Sequence, residues 1–239
     1  MSGAAPSAGA VRPGVVAGMG GTVDFAAARA NMVDCQLRTN KVRDARLLHA
    51  FETVPRELFV PENRRSIAYV DEDLQLSPGR FLIEPMVLAR LLHAANITPE
   101  DLVLEIGGAS GYGSAILAYL GATVVSLESD KDLAAAAAAA QAKLGIGNVL
   151  IVVGPLRHGY DKQAPYNVIV INGAVSEIPA AITDQLAEGG RLVGVVREDT
   201  GPGQAVLVER HGANISRRVL FDAATPVLPE FERTPGFVF

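Results

Sequence analysis

Cysteine is almost absent: Cys35 is the sole thiol in the chain. One cysteine closes no internal disulfide, and no Cys/His spacing resembles a zinc site. Positive charge is also in deficit, with a net charge of −5 and an isoelectric point near 5.4. A sequence-general nucleic-acid binder carries a basic surface, so DNA and RNA are poor candidate partners. No stretch approaches the roughly 18 apolar residues of a membrane span. Residues 1–23 lack both a basic start and an unbroken apolar core, because Pro13, Gly14, Gly18, Gly20 and Gly21 interrupt it. That pattern excludes a signal peptide and reads as a disordered tail. A cytoplasmic protein is the expectation that remains.

What the chain does have is apolar content. Hydrophobic residues make up 49% of its 239 residues and charged residues 20%, enough for a large buried core. Residues 24–53 read as helical, with Asp44 placed to cap a second segment. Residues 71–85 read as irregular, since Pro78, Gly79 and Pro85 rule out a long helix. Residues 86–95 form an amphipathic helix. Strand and helix patterns then alternate. Strands are expected at 102–106, 123–127, 149–153, 168–171 and 191–196, and helices follow the glycine turn at 107–113, span 130–144 and span 179–186. Residues 134–140 are all alanine, the best helix former, and need no special function. Residues 205–210 and 215–220 read as a hairpin. The expected architecture is a mostly parallel α/β sheet flanked by helices. It has an N-terminal helical extension (24–98) leading into a cofactor-binding sheet and C-terminal hairpin (99–239).

The most informative segment is Val103-Leu-Glu-Ile-Gly-Gly-Ala-Ser-Gly-Tyr-Gly113. A glycine turn between a first strand and a helix lets a ligand approach the backbone at the carboxyl ends of the strands. The dinucleotide fingerprint fails in every register, meeting Ala109, Ser110 or Ile116 where glycine is required. The phosphate-binding P-loop fails as well, for want of Gly-Lys-Ser/Thr. What remains is an acidic-x-Gly-x-x-x-Gly pattern, Glu105, Gly107 and Gly111, followed by Glu128 at the end of the second strand. A carboxylate there accepts both hydroxyls of a ribose. With no lysine in the turn for a phosphate, the pattern points to a nucleoside lacking pyrophosphate. S-adenosylmethionine meets that description, its carboxylate lying over free amides of the turn. The bland alternative is that these glycines only permit close helix–strand packing.

The surrounding sequence resembles the protein-L-isoaspartate O-methyltransferase family. Val54-Pro-Arg-Glu-Leu-Phe-Val-Pro-Glu62 and Ala68-Tyr-Val-Asp71 are similar to its N-terminal signature. Glu105-Ile-Gly-Gly-Ala-Ser-Gly-Tyr112 is similar to its E-I-G-T-G-S-G-Y. Leu144-Gly145, Asn148-Val149, Ala164-Pro-Tyr-Asn-Val-Ile-Val-Ile171, Gln185-Leu186 and Gly189-Gly-Arg-Leu-Val193 follow in family order and spacing. The resemblance implies a class I methyltransferase domain. Its reaction carries a methyl group from S-adenosylmethionine to the side carboxylate of isoaspartyl residues, so a protein or peptide is the implied partner. Cofactor contacts are implied at Glu105, Gly107, Gly108, Ala109, Gly111, Tyr112, Glu128, Gly154 and Pro155.

Three positions depart from the family pattern. The catalytic serine falls on Ile83, with Phe81 in place of a nearby threonine. The second glycine of the cofactor loop is Ala109. The aspartate of a G-D-G after the third strand is Pro155, which neither accepts through a side chain nor donates an amide. Arg80 replaces a glutamine and is the candidate to hold a substrate carboxylate through its fork; the alternative is a solvated loop arginine. Glu84, Ser77, Asp71 and His158 are weaker candidates, and His49 and His93 are expected in surface or packing roles. The second functional reading is a family member that binds the cofactor without isoaspartyl repair.

Overall fold

The computed structural model describes residues 23–198 and 201–232. The expected N-terminal tail therefore falls almost wholly outside the described residues. A seven-stranded sheet forms the centre, in the spatial order β5-β4-β3-β6-β7-β8-β9. Its strands are β3 (Leu102–Ile106), β4 (Thr123–Glu128), β5 (Val149–Val153), β6 (Tyr166–Val175), β7 (Leu186–Val196), β8 (Gly203–His211) and β9 (Asn214–Ala223). The first five run parallel; β8 and β9 are antiparallel additions at one edge. The chain leaves β3 toward β4 on one side and returns to β6 on the other. That reversal opens a crevice at the carboxyl end of β3, where ligands of such sheets bind.

Period-two alternation sets the two cores. Val103, Val124, Val168, Val170, Val193 and Val195 face one side, against helices α1 (Phe25–Met32), α2 (Ala45–Thr53), α3 (Pro85–Ala95) and α4 (Tyr112–Tyr119). Leu104, Ile106, Val125, Leu127, Ile169, Ile171 and Leu192 face the other. Helix α5 (Lys131–Leu144) starts on Asp130, whose carboxylate accepts the amides of Asp132 and Leu133, and stops at Gly145 in the left-handed conformation. Asp44 caps α2 in the same way, as expected. Among the described residues, no helix is long and apolar enough to cross a membrane.

Several boundaries differ from the sequence reading. The helical stretch 24–53 breaks after α1 into a π-helical turn, Val33–Arg38, and a linker. The expected helix 179–186 contracts to α6, Ala180–Thr183, because β7 begins at Leu186 and pairs there with Tyr166. The segment read as irregular is a hairpin, β1 (Leu74–Ser77) and β2 (Arg80–Leu82). Pro78 and Gly79 form its turn. Gly79 has φ +71°, as a turn with Pro first and Gly second requires.

Candidate active site

The glycine turn stands on a buried carboxylate. Glu105 is fully buried; its oxygens accept from Ser126 Oγ (2.9 Å) and Asn172 Nδ2 (3.0 Å). The three residues share one sheet face through strand register and alternation. Burial raises the Glu105 pKa, opposed by hydrogen bonds from Ser114, Ser126 and Asn172. A Cβ on Gly113 would lie 2.1 Å from Glu105 Oε1, and one on Gly108 would lie 2.1 Å from Ser126 Oγ. A Cβ on Gly111 would lie 2.8 Å from Ala137 on α5. A side chain at Gly108, Gly111 or Gly113 would collide with these neighbours, so packing requires glycine at all three.

The turn itself has φ +80° at Gly107, +50° at Ala109 and +92° at Gly111. Ala109 adopts a left-handed conformation that costs a side-chain-bearing residue roughly 1–2 kcal/mol. Its amide donates to Glu128 Oε2 at 2.7 Å. Alanine at position 109 is therefore accommodated at the cost of backbone strain.

Glu128 closes β4 and is 1% exposed. Beyond the Ala109 amide, its Oε1 accepts the amide of Asp130 (2.9 Å), and its Oε2 accepts Arg80 Nη2 at 2.5 Å. Arg80 comes from β2 and is 4% exposed. It is neither a solvated loop arginine nor an open fork toward a substrate; the hairpin delivers it to Glu128. Ser77 Oγ on β1 donates to Asp130 Oδ2 at 3.4 Å, so both hairpin strands reach the end of β4.

The N-terminal extension roofs the turn. Ser110 Oγ donates to the Phe59 carbonyl at 2.6 Å. Tyr112 is fully buried, edge-on to Phe51 and Phe59, beneath the Arg56 guanidinium. Burial pushes the Tyr112 hydroxyl up to about 12 despite Arg56. Arg56 donates to the carbonyls of Ala68 (2.7 Å) and Ile83 (2.8 Å) and ties the extension to the hairpin. Ile83 thus contributes its carbonyl, while its side chain is 2% exposed and sits in the core. Arg56 lies inside the Val54–Glu62 motif, but nothing in that motif marks it as buried. Ser126 and Asn172 did leave a signal: each is polar in an apolar strand, on the face of Glu105.

The far wall comes from the segment after β9. Leu228 donates its amide to the Ala174 carbonyl at 2.8 Å, and its side chain lies over Gly107 and Gly173. Pro229 covers Gly79 of the hairpin turn. Glu230 Oε2 accepts the Leu156 amide at 2.8 Å and pins the loop after β5. In that loop the Gly154 amide donates to the Glu128 carbonyl at 3.0 Å, and Pro155 is exposed beside it. His158 is exposed; its carbonyl accepts from Gln185. Glu84 hangs at the start of α3, where burial and then Asp73, Asp71 and Glu72 raise its carboxyl to about 7. Among the described residues, no His/Cys/Asp/Glu group is arranged to hold a metal ion.

A crevice at the strand reversal, a glycine turn and an acid ending the second parallel strand define a class I methyltransferase domain of the S-adenosylmethionine type. Residues 28–224 match the family model described as protein-L-isoaspartate(D-aspartate) O-methyltransferase (PCMT). The chain belongs to that family. A protein-L-isoaspartate O-methyltransferase of Koribacter versatilis is 40% identical over 198 residues, covering 83% of this chain and 88% of the relative. A solved structure of a protein-L-isoaspartate O-methyltransferase superposes with a TM-score of 0.74 at 25% identity. The match covers 83% of this chain and spans 65% of that one. A putative family structure from Plasmodium falciparum, in complex with S-adenosyl-L-homocysteine, superposes with a TM-score of 0.70 at 22% identity, covering 87% of this chain and all of that one.

The residues present fit this cofactor on one condition. Glu128 is held at the crevice by two backbone amides, and the Nε and Nη1 of Arg80 are buried beside it without a partner among the described residues. Buried donors without a partner call for an acceptor, which a bound molecule or a water would supply. The condition is that Arg80 yields the oxygen it occupies.

Proposed function

We propose that this chain methylates the side carboxylate of isoaspartyl residues in proteins, using S-adenosylmethionine. The observation that carries the reading is Glu128, presented at the strand reversal beside the glycine turn of a chain belonging to this family. Glu128 holds the ribose hydroxyls. The amides opening α4 face the carboxylate of the amino-acid end. Gly107, Gly154 and Pro155 line the remaining edges, and Leu228 and the hairpin keep water out. S-adenosylmethionine supplies an electrophilic methyl group on a sulfonium. The acceptor carboxylate is already ionised near neutral pH, so the protein has to align and desolvate it and needs no strong base. The partner is a protein or peptide, with no nucleic acid and no membrane involved, and the compartment is the cytoplasm.

The test is transfer of labelled methyl from the cofactor to an isoaspartyl peptide, against the same peptide with ordinary aspartate. Base-labile label on the isoaspartyl peptide alone is the expected result. No incorporation, with cofactor binding intact by calorimetry, would overturn the repair activity. The second reading, cofactor binding without repair, would then stand. It is favoured by Ile83, whose side chain is buried in the core and offers no hydroxyl to an acceptor.

A further inference from the structure

The Arg80–Glu128 pair poses a problem of capacity. A carboxylate offers about four lone-pair sites. On Glu128, two are taken by backbone amides, that of Ala109 in the glycine turn and that of Asp130 at the start of α5. Arg80 Nη2 takes a third at 2.5 Å. One site remains, and a ribose edge needs two. Both hydroxyls pair with Glu128 only when Arg80 lets go.

The arginine is poorly served where it lies. Its side chain is 5% exposed, yet Nε and Nη1 have no partner among the described residues. A buried guanidinium with unmet donors gains from any arrangement that supplies a second acceptor. It is carried on a short two-stranded hairpin rather than on the central sheet. The hairpin is anchored by Leu74 and Leu82, buried in the core, so what is free to exchange is the Arg80 side chain and not the hairpin.

We propose that Arg80 is an exchangeable internal ligand of Glu128: it fills the ribose position when the crevice is empty, is displaced by the nucleoside, and then takes the carboxylate of the methyl acceptor. It is a specificity-setting residue that couples the two binding events. The nucleoside releases the cation, and the released cation favours an anionic acceptor over a neutral one. The proposal rests on the reading of this crevice as the cofactor site. It adds that the empty site is self-occupied and that the order of binding is cofactor first.

Calorimetry with S-adenosylhomocysteine separates the two. Wild-type protein and the variants Arg80→Gln and Arg80→Met are titrated, and the pair Glu128→Gln and Glu128→Gln/Arg80→Gln completes a cycle. Both single Arg80 variants are expected to bind about tenfold more tightly than wild type, as the competing ion pair is gone. In the Glu128→Gln background, removing Arg80 is expected to change affinity less than threefold. Saturating S-adenosylhomocysteine is expected to tighten binding of an isoaspartyl peptide to wild type and not to Arg80→Gln. Equal or weaker cofactor affinity in folded Arg80 variants overturns the exchange, while the cofactor reading survives. No binding by any form overturns both. Native protein gives an independent readout through phenylglyoxal labelling of Arg80, followed by mass spectrometry. Labelling is expected to rise when S-adenosylhomocysteine is added, and unchanged labelling at saturation overturns the exchange whether or not the variants fold.

Discussion

Two glutamates end neighbouring strands of this protein, and their surroundings divide the labour. Glu105 lies under the glycine turn and receives neutral donors, Ser126 Oγ and Asn172 Nδ2, with glycines packed against it on two sides. Glu128 lies at the rim and receives backbone amides and a cation from a separate hairpin. Sequence spacing assigned both to the cofactor. In the structure Glu105 supports the glycine turn, and Glu128 joins that turn to Asp130 and Arg80. Residue type is the same, but Glu105 pairs with Ser126 and so sits two register positions short of Glu128, and the donors differ as well. Glu105 is held by neutral donors from the sheet, whereas Glu128 is paired with a cation from a separate hairpin.

The harshest way to break this contrast is Gly113→Ala. A methyl 2.1 Å from Glu105 Oε1 must displace the carboxylate or the helix. Overpacking beside a buried charge is expected to cost about 3 kcal/mol or more, read by urea denaturation. Unchanged stability would mean that Glu105 is free to move. Next come paired substitutions. Glu105→Ala leaves Ser126 and Asn172 unpaired and is expected to lower stability by about 3 kcal/mol, while the protein that remains folded keeps its cofactor affinity. Glu128→Ala is expected to weaken S-adenosylhomocysteine binding by about 1.5–3 kcal/mol, the range for a hydrogen-bonded charge. If calorimetry assigned the larger affinity loss to Glu105, the division would be wrong.

Ala109→Gly sharpens the contrast at the joint between the two acids. Relief of the left-handed strain, offset by the entropy of glycine, is expected to raise stability by about 0.5 kcal/mol in a melting experiment. A loss would show that the alanine methyl packs usefully. The smallest effect concerns a third carboxyl, Glu84, whose folded pKa rises to about 7 through burial and then its acidic neighbours. An unfolded glutamate titrates near 4.3, so the folded state holds the extra proton between these values. Stability contributed by that proton is present at low pH and falls as pH rises toward 7. Glu84→Gln is expected to flatten that part of the stability–pH profile slightly, since the side chain is partly solvated. A profile parallel to wild type would refute the shift.

Much of the fold was legible because parallel strands buried on both faces leave short apolar runs. Residues 102–106 and the half-exposed edge strand 149–153 have the expected bounds and α5 is one residue shorter than expected, while the C-terminal hairpin falls where expected with strands of nine and ten residues in place of six each. The β1–β2 hairpin departs from the irregular segment expected at 71–85, because Pro78-Gly79 is a turn signal as well as a helix break. Strand β7 was begun too late because Gly189-Gly190 looked like its start, whereas it pairs from Leu186 across an irregularity. The glycine turn and Glu128 were legible from local spacing. Arg80 was singled out, but its partner was not: the two lie 48 residues apart on elements whose docking no local pattern encodes. The same holds for Leu228 over Gly107, a contact between a loop residue and a turn that sequence spacing does not link.

That contact also has a consequence for the order in which the molecule is made. A chain emerges from the ribosome from its N-terminus, and structure forms as segments become available. The strands of the parallel sheet, the glycine turn and the arginine hairpin all precede residue 197, so they are able to assemble while later residues are still being added. Residues 226–231 wall the crevice at Gly107, Gly173 and Gly79 and pin the loop after β5. They appear only after every strand has been synthesised. A nascent chain halted before them would carry Glu128 and its glycine turn in an unwalled crevice, and ribosome-bound chains stalled on either side of residue 228 would catch the site before and after it is closed.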